Sequence, residues 1–235
     1  MTGEARPVTD DYVAPSSETA FQQGSYYADG TTEAGVPCRH SVAFFEDGTY
    51  LHLIAWTEAD KPCFAYEAGV YGVSTTQLAL TPEGGSRVQC EVLDDARLQL
   101  SVLPWPGAAE RTALEFTRAE AAPLMEFGGT GAITGTPVSF EVDLTLYDDG
   151  TYRAVADGYE ECGALALDTA AGFAKQYPDH PATGARGLNQ VTTVPSAACA
   201  YDADGALTIT DLRVCTSAEN LTRFKAAVRQ TNDDE

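Results

Sequence analysis

Lysine is nearly missing from this chain. Lys61, Lys175 and Lys225 are the only three in 235 residues, and 14 bases face 35 acids, for a net charge of -21. Such a surface repels phosphate backbones and anionic lipid, so no nucleic-acid partner is expected. The bland meaning of the acidity is solubility. No apolar stretch approaches the roughly 18 residues of a membrane-spanning helix, so no transmembrane segment is expected. With three histidines and no Cys-x-x-Cys pair, zinc-ligand spacing is lacking. P-loop, dinucleotide fingerprint and hydrolase nucleophile motifs are also missing, and no cofactor is expected.

What the chain does hold is an internal echo. Asp47-Gly48-Thr49-Tyr50 recurs as Asp149-Gly150-Thr151-Tyr152, 102 residues later, each copy entered by an alternating apolar run. Cys90 and Cys199 each stand eight residues before an alternating strand, Leu98–Ser101 and Leu207–Thr210, with an acidic turn between. Self-similarity at a fixed offset predicts two structural units.

Along the chain, residues 1–19 are polar and carry Pro7, Pro15 and Ser16-Ser17. They read as a flexible tail, the spacer of an exported or lipid-anchored protein. Residues 20–119 hold eight short candidate strands, with clear alternation in Val88-x-Cys90-x-Val92 and Leu98-x-Leu100-x-Val102, parted by turns with a mechanism, Asp47-Gly48 and Thr81-Pro82-Glu83-Gly84-Gly85 among them. The pattern predicts an antiparallel up-and-down barrel or a sandwich, and a single sandwich built from both halves stays open. Residues 124–230 restart it, with an Ala- and Gly-rich insertion at 168–188 holding a short helix near 169–177. Thr216-Ser217-Ala218-Glu219 fits a capping box, and Leu221, Phe224, Ala227 and Val228 share a helical face, so a C-terminal helix is expected over 217–229. The fold class read here is all-β: two tandem barrels with a C-terminal helix.

Six cysteines spread through predicted strands suggest disulfides and an oxidising compartment. If repeated positions form equivalent bonds, the pairs are Cys63–Cys90 and Cys162–Cys199, leaving Cys38–Cys215 to tie the halves together. The expected location is secreted or periplasmic.

The run Phe45-Glu46-Asp47-Gly48-Thr49-Tyr50, then Ala68–Gly85, then Arg97–Val102, together with the eight strands, resembles the lipocalin-like (calycin) β-barrels. The Gly-x-Trp of lipocalins proper is not present; Gly24-Ser25-Tyr26 and Gly128-Gly129-Thr130 stand nearest to it. The resemblance implies a barrel with an apolar lumen.

Tyr50, His52, Ile54 and Trp56 alternate along one strand and so share a face. The candidate ligand site is Tyr50, His52, Trp56, Phe64 and Tyr66, with apolar walls from Leu78 and Leu100. Its expected occupant is a small apolar molecule or a component of the cell envelope. Asp202, Asp204 and Asp211 resemble part of a calcium loop, although the turn chemistry of Asp and Gly explains them better. Binding or interaction without catalysis is the expected function. The alternative is a cyclase or isomerase acting through pocket shape, as on other lipocalin-like barrels.

Overall fold

The computed structural model describes residues 20–74, 77–133, 139–156, 159–179, 184–189, 196–217 and 220–228. The leading segment 1–19 and most of the candidate strand at 189–194 lie outside them. Barrel 1 is built from β1 (Gly24–Thr31), β2 (Pro37–Phe44), β3 (Thr49–Glu58), β4 (Lys61–Val73), β5 (Gln77–Pro82), β6 (Val88–Val92), β7 (Arg97–Val102) and β8 (Thr112–Arg118). The strands run in sequence order, each antiparallel to the next, and β1 closes on β8 through Tyr26↔Arg118 and Tyr27↔Thr117. Closure leaves no sheet edge unpaired.

Barrel 2 repeats the plan with β9 (Pro123–Ile133), β10 (Ser139–Tyr147), β11 (Thr151–Ala156), β12 (Tyr159–Asp168), β13 (Phe173–Pro178), β14 (Ser196–Tyr201), β15 (Leu207–Ser217) and β16 (Asn220–Val228). β16 pairs with both β15 and β9 and completes the ring. The expected C-terminal helix is therefore corrected to a strand. Without it, β15 and β9 would each expose a row of unpaired backbone groups, and that demand overrides the helical spacing of Leu221 and Phe224. The insertion at 168–188 is corrected in the same way, because β13 lies within it and bonds to β12 and β14. Among the described residues there is no helix, hence none long and apolar enough to cross a membrane.

The echo marks one device used twice. Each Asp-Gly-Thr-Tyr forms the turn between two strands, with Gly48 at φ +80° and Gly150 at φ +81°, conformations that favour glycine. Asp47 Oδ1 accepts from the Thr49 amide at 3.0 Å and Asp149 Oδ1 from the Thr151 amide at 2.8 Å. The second carboxylate oxygen reaches across to the other barrel. Asp47 Oδ2 accepts from the Asn189 amide (3.0 Å), and Asp149 Oδ2 accepts from the Ser25 hydroxyl (2.6 Å). Between these staples the outer faces of the barrels meet in a shared apolar layer of Phe45, Leu51, Ala68, Ala164, Ala166, Tyr177 and Leu188.

The expected disulfides are corrected too. Cys38, Cys63, Cys90, Cys162 and Cys199 are free thiols; the Cys215 side chain lies outside the described residues. Cys63 lies near the start of β4, whereas Cys90 faces Leu78, which faces Val73 at the far end of β4. Two strand spacings alone are about 9–10 Å, beyond the roughly 7 Å that a disulfide spans. Cys162 and Cys199 sit at opposite ends of the intervening β13, beside Asp179 and Gly172. Nor are Cys63 and Cys162 equivalent. The matching glycines, Gly69 and Gly163, are 94 residues apart rather than 102, because the β3–β4 hairpin is longer, and Cys162 corresponds to Ala68.

Candidate polar site in the lumen of barrel 1

The lumen of barrel 1 is lined by alternate residues. Val42, Phe44, Tyr50, Leu78, Leu98, Leu100 and Phe116 form one buried cluster. Phe21 plugs the Asp-Gly-Thr-Tyr end against the rings of Tyr26, Phe44 and Tyr71, with centroids 6.4, 5.2 and 5.6 Å away. Beyond that plug the apolar lining is interrupted. His40 on β2 and His52 on β3 are 0% and 1% exposed and stack at an interplanar angle of 18°. Both rings stand edge-on to Phe116.

The two imidazoles are joined in a chain. His40 Nδ1 lies 3.0 Å from His52 Nε2, and His40 Nε2 lies 3.4 Å from Cys38 Sγ. One ring must donate and the other accept, so the tautomer of one dictates that of the other. The chain ends at His52 Nδ1, which is buried without a hydrogen-bond partner. An unpaired buried nitrogen costs about 1–3 kcal/mol. Burial pushes His40 down to about 4. Burial, then the neighbouring His40 and Arg111, hold His52 well below the ordinary range. Both rings are therefore neutral at pH 7, each able to accept or donate. Gly30 makes room for the chain: a Cβ there would come within 2.7 Å of His40 Nε2.

A second polar group lies beside the first. Glu67 on β4 faces His52 across the hairpin register. Its carboxylate accepts from the Tyr50 hydroxyl (3.0 Å) and from the Arg111 guanidinium, a largely buried ion pair. Burial and Glu67 raise the Tyr50 phenol well above its usual range, so it is a permanent donor.

No protein-family model matches the chain, and no curated protein matches it. Among solved structures, it matches a porin-like protein from Bacteroides uniformis at 8% identity and a TM-score of 0.21, over 90% of this chain and 100% of that one. Likeness at that level carries no argument about fold or function.

The residues expected to form the site separate. Tyr50 and His52 face the lumen, with Leu78 and Leu100 in its wall. Trp56 is half-buried toward the end of β3, opposite Cys63. Phe64 and Tyr66 belong to the outer face of the wall. Phe64 packs into the core of barrel 2 and exchanges hydrogen bonds with Thr169. The Tyr66 ring meets Phe173 edge-on at 6.2 Å. Sequence reading passes over His40, Glu67 and Arg111, and takes Cys38 for a disulfide partner rather than a member of this histidine chain. The alternation Cys38-x-His40-x-Val42-x-Phe44 is the signal that could have exposed Cys38 and His40. Asp202, one of the three weak calcium candidates with Asp204 and Asp211, accepts from the amides of Asp204 and Ala206, both at 2.9 Å, within the turn. Asp211 lies in β15, and no metal-binding cluster occurs among the described residues.

Proposed function

We propose that this chain is a small-molecule binding protein on two lipocalin-like barrels, with its ligand site in the lumen of barrel 1. The observation that supports this reading is His52 Nδ1, buried and unpaired on a ring that is bonded through Nε2 to a neighbouring neutral imidazole, next to the apolar cluster of the barrel wall. The fitting ligand is small and apolar with one hydrogen-bonding group, since side chains already occupy much of an eight-stranded barrel. Tyr50 and the Glu67–Arg111 pair orient the polar end, and Leu78, Leu100 and Phe116 hold the apolar body. Phe64, Tyr66 and Trp56 are left out of this version of the site. Five free thiols lend no support to export through paired cysteines, and a secreted or periplasmic location stays part of the proposal.

Calorimetric titration of the full chain with phenol, indole and short aliphatic alcohols tests the proposal. At least one should bind, and His52→Leu should weaken it about tenfold or more. If none binds the native chain and His52→Leu merely stabilises it, the lumen is a packed core and the proposal fails.

A further inference from the structure

A cavity separate from the lumen site opens where the barrels meet. It measures about 780 Å³ and lies between the start of β1, the β6–β7 turn, the linker after β8, and the β11–β12 hairpin. Three of the chain's 14 bases line it, Arg118, Arg153 and Arg186, together with Asp95 and Glu120. Two of the arginines are committed. Arg153 makes a two-pronged pair with Glu160, both distances 2.8 Å, and Arg186 holds Asp179 at 3.1 Å. Asp149, in the floor, is spent on Ser25 and Thr151.

Arg118 differs. Its guanidinium donates to the Gln22 amide oxygen (2.5 Å) and the Gln23 carbonyl (3.2 Å), both neutral. No carboxylate pairs with it among the described residues, in a chain where acids outnumber bases by more than two to one. Two neutral acceptors orient the group and leave the rest of its five donors for a ligand. Backbone ties bring the acids near. The Arg118 amide donates to the Ala96 carbonyl at 2.7 Å, beside Asp95, and Glu120 is two residues further on. Neither acid has a basic partner among the described residues.

The charges choose the ligand class. A net charge of -21 repels a simple anion from the surface. A simple cation gains nothing from Arg118. A molecule carrying both charges satisfies the cleft and is not excluded by the field. We infer that the inter-barrel cleft binds a small zwitterion of the amino-acid or dipeptide class. The carboxylate takes the free donors of Arg118, and the ammonium faces Asp95 and Glu120. Junctions between units are common places for such sites.

The test is calorimetric titration of the full chain with individual amino acids and dipeptides, with acetate and methylamine as single-charge controls. A zwitterion should bind while the controls do not. Arg118→Gln should weaken it about tenfold or more, Arg118→Lys less, and Asp95→Asn with Glu120→Gln should weaken it while sparing the Arg118 contact. Arg118 is exposed, so these variants should unfold at the native temperature. His52→Leu should leave this binding unchanged, which separates it from the lumen site. Absence of zwitterion binding, equal binding of acetate, or full binding by Arg118→Gln would each overturn the inference.

Discussion

In barrel 1, His40 and His52 meet across the β2–β3 pair, where His40 faces Ile54 and Val42 faces His52. At the same register in barrel 2, Val142 faces Ala156 and Leu144 faces Ala154, so the two histidines become Val142 and Ala154. All four positions are buried. The surrounding frame does not change. Tyr50 faces Gly69 and bonds Glu67; Tyr152 faces Gly163 and bonds Glu161. Gly69 faces Pro82, and Gly163 faces Pro178. Where barrel 1 sets Leu80 two residues before its proline, barrel 2 sets Gln176, which donates to the Tyr152 hydroxyl at 2.9 Å. The Tyr–Glu–Gly–Pro frame is thus common to both barrels, and barrel 2 closes without the two histidines. The histidine chain is particular to barrel 1.

The largest expected effect falls on the shared frame. A Cβ on Gly69 would overlap the Thr81 carbonyl and come within 2.9 Å of the Tyr50 ring; on Gly163 it would overlap the Tyr177 carbonyl and come within 2.8 Å of the Tyr152 ring. Backbone cannot yield as a flexible side chain does. Gly69→Ala and Gly163→Ala should each cost about 3 kcal/mol, measured by denaturant unfolding. A large loss in one barrel and none in the other would break the equivalence.

Acid comes next, and it separates the barrels. The folded value of His40, about 4, lies below its ordinary 6.5. As pH falls through 6.5 the unfolded chain takes up the proton first. Stability is therefore complete above 6.5, declines between 6.5 and 4, and stops declining from this source once the folded ring also titrates. For His40 alone the loss is about 3 kcal/mol. His52 acts in the same direction. The variant carrying barrel 2's residues, His40→Val with His52→Ala, should lose less stability than the native chain over that window. Equal pH slopes for the two would show that the rings are not buried neutral.

Barrel 1 was the more legible of the two in sequence because strands such as β6 and β7 alternate clearly and turns such as Asp47-Gly48 and Pro82–Gly85 have their own chemistry. β13 and β16 were not, because Ala, Gly and helical spacing describe them locally, and only the need to close a ring makes them strands. Within the site, one strand was readable and its neighbours were not. Tyr50 and His52 follow from alternation. The facing of β4 depends on the two-residue turn Ala59-Asp60, both at positive φ (49° and 62°), which sets His52 opposite Glu67. That register sends Glu67 to the lumen and puts Phe64 and Tyr66 on the outer wall. No composition rule contains it.

A smaller effect is expected where the barrels are stapled. Asp47→Ala and Asp149→Ala each remove a turn bond and a cross-barrel bond, worth about 1–2 kcal/mol together. The two should differ in where they loosen the molecule. Asp47 holds the backbone of residue 189, and Gly187 is packed so closely on it that a Cβ would overlap the carboxylate. Hydrogen exchange should rise at 187–189 in Asp47→Ala and near Ser25 in Asp149→Ala. Exchange changing at the same places in both variants would mean that the staples are not independent.

The smallest change is chemical. Cys63 and Cys162 are half-buried, whereas Cys38, Cys90 and Cys199 are buried, and burial raises the Cys199 thiol to about 11. Thiolate is the reactive form, so exposure and ionisation act together. Alkylation of the native chain without reductant should mark Cys63 and Cys162 first, with the other three reacting only on unfolding. Peptide mapping reads the order. Equal early labelling of Cys90 would mean that the β6–β7 wall, paired only at Glu91↔Gln99 and Val92↔Leu98, opens in solution. Barrel 1 would then have an entrance to its lumen that barrel 2, joined by four pairs between β14 and β15, does not share.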